Sequence, residues 1–259
     1  MAETQWTKLG AYLKATQILG SIQNTLYWDQ NTGMPNKGAS WRSEQLTYIA
    51  KVLHKRNSSE EFSNLIQSAK NELLDSEQNS DNQLSTKDKE RNIDLLMKEF
   101  NRERNLDPKL VESLAKAKSK GYESWQEAKK KSDFKIFLPY FEELVKLRIE
   151  EAKQISDGYS PWETLAQPFE PELTLKWLNK LFQPLKETIP ELIRGINSSK
   201  KDHWDLTSES QQILCSKLLD EFGRDKDLVI VSKSPHPFSI TLGPNDFRIT
   251  TRIVDGEPL

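Results

Sequence analysis

A single cysteine, Cys215, leaves the chain unable to close an internal disulfide, so nothing in it calls for an oxidising compartment. Its neighbours Ile213, Leu214, Leu218 and Leu219 read as core packing, and no nearby base or cationic cluster would activate a thiolate. No apolar run approaches the length of a membrane span. The opening MAETQWTKLGAYLK also lacks the basic stretch, apolar core and small-residue cleavage site of a secretory leader, so a cytoplasmic location is expected. Neither sign of charge dominates: 37 basic against 39 acidic residues give a net charge of -2, and no global field draws in nucleic acid or an anionic membrane. The one basic cluster, Lys116 to Lys131, alternates with apolar residues at helical spacing and reads as a solvated helix face.

Phosphate-binding glycine loops, G-x-S-x-G, H-E-x-x-H, C-x-x-C and acidic calcium loops are missing as well. The three histidines are His54, His203 and His236. No two lie three or four residues apart, so no helix can present paired imidazoles to one metal. His54, beside Lys55 and Arg56, suits a helix C-terminus, and His203 lies in the polar run SSKKDHWD. Both read as surface residues. The residues themselves therefore offer no catalytic group and no metal ligand.

What the chain does contain is polar but not disordered. It is 36% hydrophobic and 29% charged, yet it carries 7 Trp, and a mean hydropathy of -0.72 fits long amphipathic helices with one apolar stripe each. Tyr12, Ala15, Leu19, Ile22 and Leu26 recur at spacings of three and four, predicting a first helix with one buried stripe, broken by NTGMP at 31–35. Ala39, Leu46, Ile49 and Leu53 mark a second helix. Ser58 and Glu61 form a capping box for a third, through Phe62, Leu65, Ile66, Ala69 and Leu73. After the polar stretch 75–85, a fourth carries Ile93, Leu96, Met97 and Phe100. Asp107-Pro108 starts a fifth, ending near Gly121. Further apolar stripes surround Trp125 and Ala128, then Phe137, Phe141, Leu144 and Ile149. Ser160-Pro161 opens a short helix. Pro184 and Pro190 predict kinks or a break between Thr174 and Asn197, and Ser208 with Gln211 caps a helix ending at Gly223.

Beyond Gly223 the texture turns to strands: LVIVS, PFSITLG and DFRITTRIV are β-branched and alternating. The expected architecture is mainly α, with a helical region at 1–223 and a small antiparallel sheet at 224–259, together one incomplete domain. Asp255-Gly256 is a hairpin-turn signal with almost nothing after it, which suggests that the chain ends before its fold does.

Two constellations stand out near that end. Pro237 holds His236 in an extended conformation, either as a turn leading into a strand or as a defined presentation of the imidazole. On a strand, Asp246, Arg248 and Thr250 share one face. There they either pair with one another or offer a cation and a hydroxyl to a carboxylate ligand.

SPHPFSITLGPNDFRITTR resembles the stretch preceding the zinc motif in the carboxypeptidase Taq family of thermostable zinc carboxypeptidases. Tyr27-Trp28-Asp29, Thr32, Met34-Pro35, Arg42 and Gln45 are similar to that family's N-terminal signature. Trp125, Ala128, Asp133-Phe134, Glu170-Pro171, Thr174 and the helix from Gln212 to Gly223 match in the same order. The resemblance implies an incomplete zincin-type carboxypeptidase fold with a long groove. It also implies removal of single residues from peptide C-termini, and homodimers as the common assembly. The metal, zinc or cobalt, is held in the family by an HExxH helix and a later glutamate. That helix follows the D-x-R-x-T strand, and this chain stops at Leu259 before reaching it. Ile253 stands where the family usually has tyrosine, and Glu172-Leu173 replace its usual Gly-Met. By this resemblance His236, Phe238, Asp246, Arg248 and Thr250 line the groove or support the site, while the chain alone holds no metal and is inactive. The alternative is a helical scaffold or interaction module derived from the same fold. A nucleic-acid binder using the Lys116–Lys131 face is the weakest reading.

Overall fold

The computed structural model describes residues 4–75, 85–155, 157–196 and 207–254. Two compact units divide the chain: Met1–Ile155 with Ser239–Arg248, and Ser156–Phe238 with Ile249–Leu259. The helices of the first unit are α1 (Gln5–Thr32), α2 (Ala39–Asn57), α3 (Glu60–Asp75), α4 (Thr86–Arg104), α5 (Pro108–Lys131) and α6 (Leu138–Ile155). The second unit holds α7 (Pro161–Ala166), α8 (Leu175–Gly195) and α9 (Ser208–Glu221). Strands β1 (Val229–Lys233), β2 (Ser239–Gly243) and β3 (Asp246–Thr251) form one sheet in the order β1-β3-β2. The expected antiparallel sheet is in fact mixed. Only Pro244 and Asn245 separate β2 from β3, whereas β1 adds to the other edge of β3. The unit boundary falls inside β3, after Arg248.

The main core of the first unit joins α1, α3 and α4 through Leu9, Tyr12, Phe62, Ile66, Ala69, Ile93 and Phe100. Phe62 stacks on Tyr12 at 5.4 Å and meets Phe100 edge-on at 6.2 Å. On α1 the buried stripe differs from the expected one. Leu9 and Tyr12 are buried while Ala15 and Ile22 are exposed, because the side facing α3 decides burial. Glu72 of α3 accepts the Gln5 and Trp6 amides at 3.1 and 2.9 Å, neutralising free donors at the start of α1.

Local details correct several expectations. Ser59, not Ser58, caps α3 by accepting the Phe62 amide, because the Ser58 hydroxyl is turned back onto the His54 carbonyl. Likewise Thr207 rather than Ser208 caps α9. Helix α5 does not stop at Gly121: Leu110, Leu114, Ala117, Gly121, Ser124 and Ala128 form one continuous buried stripe, so packing outweighs the glycine. Helix α8 runs unbroken through Pro184 and Pro190. None of its residues is buried, so water can satisfy the carbonyls that lose their donors. Cys215 is only half-buried, and Ile213, Leu214 and Leu218 are exposed rather than packed in a core.

His54 is the largest departure. It is 4% exposed, and its Nδ1 lies 3.0 Å from Glu103 Oε2, joining α2 to α4. The basic neighbours that suggested a surface place lie elsewhere on the helix. Residues 76–84, His203, Asn197 and Asp255-Gly256 lie outside the described residues. Among the described residues no helix is long and apolar enough to cross a membrane.

Truncating Phe62 to alanine is expected to cost about 3–5 kcal/mol, since it removes the ring on which Tyr12 and Phe100 both pack. A chemical denaturation series should show that loss as a lower midpoint with an unchanged slope. A loss under about 1 kcal/mol, the size of an ordinary surface change, would place the core elsewhere.

Candidate functional site

The N-terminal signature residues converge on one network. Asp29, near the end of α1, accepts Arg42 Nη2 at 2.5 Å. Arg42 also donates to the Leu26 carbonyl at 2.5 Å and to Gln45 Oε1 at 2.9 Å. The Asp29 carbonyl closes the helix by accepting the Gly33 and Met34 amides, and the Thr32 hydroxyl donates to the Trp28 carbonyl at 2.7 Å. Signature residues at 28, 29, 32, 34, 42 and 45 therefore fix the α1–α2 corner and the position of Trp28. Tyr27 is half-buried, and that burial pushes its phenol above its ordinary range.

Asp246 and Arg248 pair on β3. Arg248 Nε donates to Asp246 Oδ1 and Nη2 donates to Oδ2 at 3.0 Å, a forked ion pair. Those hydrogen bonds hold the Asp246 carboxyl below the usual carboxylate range and raise the guanidinium further. The Arg248 guanidinium also sits 5.6 Å from the centre of the Trp28 ring. Of the two readings left open by the sequence, internal pairing is thus present. Two of the five guanidinium N–H donors serve Asp246.

Thr250 belongs to a different group, in the second unit. It is 3% exposed, and its hydroxyl accepts the Phe238 amide at 2.8 Å and lies 2.8 Å from Ser234 Oγ. Ser234 donates to the His236 carbonyl at 2.7 Å, and the Thr250 amide donates to the Phe238 carbonyl at 2.8 Å. These bonds clamp the Ser-Pro-His-Pro-Phe segment by its backbone, leaving the His236 side chain exposed and Phe238 half-buried. The five candidate residues thus form two groups: Asp246 with Arg248, and Thr250 with the backbone of 236–238.

Two participants escaped the sequence reading. Trp28 was legible only as part of a signature, not as the ring under Arg248. Ser234 gave no signal beyond preceding a proline. Asn24 adds a tie between α1 and β2, donating to the Thr241 carbonyl at 3.2 Å.

The described donors do not suit a metal. Among the described residues no three of His, Cys, Asp and Glu converge on one point. Buried His54 is committed to Glu103, and Asp29 and Asp246 are each taken by an arginine.

Comparison with known proteins gives a consistent answer. The family model described as "Carboxypeptidase Taq (M32) metallopeptidase" matches residues 8–259. The chain is 28% identical over 265 residues to thermostable carboxypeptidase 1 of Thermus thermophilus, covering 96% of this chain and 51% of that one. It is 30% identical over 233 residues to carboxypeptidase 1 of Bacillus subtilis, covering 88% of this chain and 45% of that one. The crystal structure of BsuCP superposes with a TM-score of 0.87 at 27% identity, over 98% of this chain and 50% of that one. Trypanosoma cruzi metallocarboxypeptidase 1 gives 0.77 at 25% identity, with the same coverage of 98% and 50%. The chain spans about half the length of the curated relatives it matches.

Replacing Thr250 with valine keeps the shape but strips the Phe238 amide of its acceptor, and is expected to cost about 1–3 kcal/mol in denaturation experiments. Thr250→Ser should recover most of that loss. The Asp246–Arg248 pair gives a pH signature. Because the folded carboxyl titrates below its unfolded value, its stabilisation is present above about pH 4 and fades as pH falls through the depressed folded value. The stability gap between wild type and Asp246→Asn should therefore narrow in acid. With the carboxyl partly exposed, it should stay under about 1 kcal/mol at neutral pH. Thermal melts across that range measure it, and a gap that widens in acid contradicts the assignment.

Proposed function

Because the chain belongs to the carboxypeptidase Taq (M32) metallopeptidase family, we propose that it is the non-ligating part of an enzyme that releases C-terminal residues from peptides. The observation that carries this is a family match running from residue 8 to residue 259 in a chain that spans about half the length of its curated relatives. In this reading the metal of the complete enzyme, zinc or cobalt, is bound by residues outside this chain, and no hydrolytic step is assigned to the residues inside it.

What these residues contribute is recognition and positioning. Arg248, oriented by Asp246 and backed by Trp28, keeps N–H donors for the carboxylate of a peptide terminus. Thr250 and Ser234 hold the backbone of His236 and Phe238 at a fixed angle. A guanidinium already tied in a fork loses little freedom when a ligand arrives, which favours binding. Peptides with a free C-terminus are the partners, with a homodimer as the assembly and the cytoplasm as the location of the complete enzyme.

The test is an assay of the 259-residue chain on unblocked peptides with zinc or cobalt added. No amino acid should be released, and steady turnover would show that the ligands are present after all. A longer polypeptide containing this chain should release C-terminal residues from the same peptides. Failure on every unblocked peptide removes the carboxypeptidase reading.

A further inference from the structure

Within the first unit, helices α3 and α4 leave a cleft of about 280 Å³ between them. Arg91, Asp94, Lys98 and Asn101 line it from α4, and Lys70 lines it from α3. At 100° per residue the four α4 positions fall within about 80° of one another, so they share one face of the helix. Ile93 and Met97 complete the lining. Ile93 belongs to the same buried cluster as Ile66 and Ala69 of α3, and Met97 packs against that cluster. Core packing therefore fixes the walls, while the charged ends of the side chains stand at the rim. None of these residues belongs to the two candidate groups at 234–250.

Three cations and one carboxylate give this cleft a net charge of +2, in a chain whose own net charge is -2. The spacing would let Asp94 pair with Arg91, three positions before it, or with Lys98, four positions after it. Neither pair forms. None of Lys70, Arg91, Asp94 and Lys98 enters an ion pair among the described residues. Elsewhere in the unit the same spacings do close, as in Lys131 with Glu127 and Arg148 with Glu151. A solvated helix face would spread its charges over one helix. Here a lysine from a second helix joins them around one concavity, and a cleft lined by one sign of charge concentrates counter-ions.

The chemistry of the lining selects among anions. A guanidinium offers a planar fork that matches two oxygens of a phosphate, and lysines on flexible stems add point charges from two sides. The volume lies just below the range of ordinary small-molecule pockets, which favours a compact group over a bulky ligand. We infer that this cleft is a binding site for a compact multivalent phosphate-type anion, a diphosphate group either free or at the end of a small organic molecule. Arg91, Lys98 and Lys70 hold its oxygens, and Asp94 limits its affinity by like-charge repulsion. The site is independent of the carboxypeptidase reading.

The test is calorimetric titration of the full 259-residue chain with inorganic pyrophosphate at neutral pH and fixed ionic strength. One saturable site with a dissociation constant below about 1 mM is expected. The double variant Arg91→Glu with Lys98→Glu should weaken binding about 10-fold or more, the scale of one lost hydrogen bond between charged groups. Asp94→Asn should strengthen it a few-fold, a change of opposite sign that a loss of folding would not produce. Lys130→Glu, in the basic run of α5 outside the cleft, should leave it unchanged. All four positions are exposed, so circular dichroism should show the helical signal of the wild type in each variant. A nucleoside diphosphate serves as the second probe, and affinity equal to that of pyrophosphate identifies the diphosphate group as the part recognised.

Absence of saturable binding of pyrophosphate overturns the inference. So does binding indifferent to the double variant, or weakened as much by Lys130→Glu, which would make it a response to overall charge. Weaker binding in Asp94→Asn overturns it too, and so does binding of the nucleotide alone, which would place recognition in the base or sugar.

Discussion

Arg42 holds together the corner on which the candidate site depends. Its guanidinium reaches a carboxylate, a backbone carbonyl and a side-chain amide within one turn of space, joining the end of α1 to the first turns of α2. A planar fork with several donors can satisfy three partners in fixed directions, which a lysine ammonium does less rigidly. The consequence is positional. Trp28, one residue before Asp29, is held as the ring beneath Arg248, and the Asn24 amide one turn earlier reaches the β2 backbone. The signature residues that look functional in the sequence are mostly structural. Their side chains bond to one another and to the backbone of the α1–α2 corner.

Around these residues the charges are nearly self-contained. Asp246 answers Arg248, Asp29 answers Arg42 and Glu103 answers His54. Charges already paired in this way are poor metal ligands, because binding a cation would require leaving an arginine or imidazole uncompensated. The hydroxyls of Thr250 and Ser234 act on backbone groups, fixing the path of 234–238 rather than presenting reactive oxygens.

Burial is distributed unevenly. The first unit owns two apolar clusters: one across α1, α3 and α4, the other built from Leu106, Leu110, Leu114 and Ile155. Even there, Leu138, Phe141, Val145 and Ile149 line one side of α6 and remain exposed. In the second unit the helices α8 and α9 contribute Gln211 as their buried residue. The Gln211 side-chain amide donates to the Val254 carbonyl at 2.8 Å. Among the described residues these helices are patterned for burial yet keep their apolar sides open.

Periodicity located most of the helices, though not the full length of α5 or the continuity of α8. It placed Asp107-Pro108 and Ser160-Pro161 at helix starts, since local capping chemistry needs only near neighbours. The strand texture after Gly223 and the order of family-like motifs were equally legible. What sequence could not decide was which side of each helix meets a partner. His54 looked like a surface residue until Glu103, 49 positions away, supplied its acceptor. Ala15 and Ile22 shared a stripe with Tyr12, yet only Tyr12 faces α3. Arg248 could equally have been free or paired, and the β3 geometry chose the fork with Asp246. Pairings between distant residues depend on chain paths that no local pattern encodes, so burial, ion-pair partners and the ring under Arg248 were decided by tertiary structure alone.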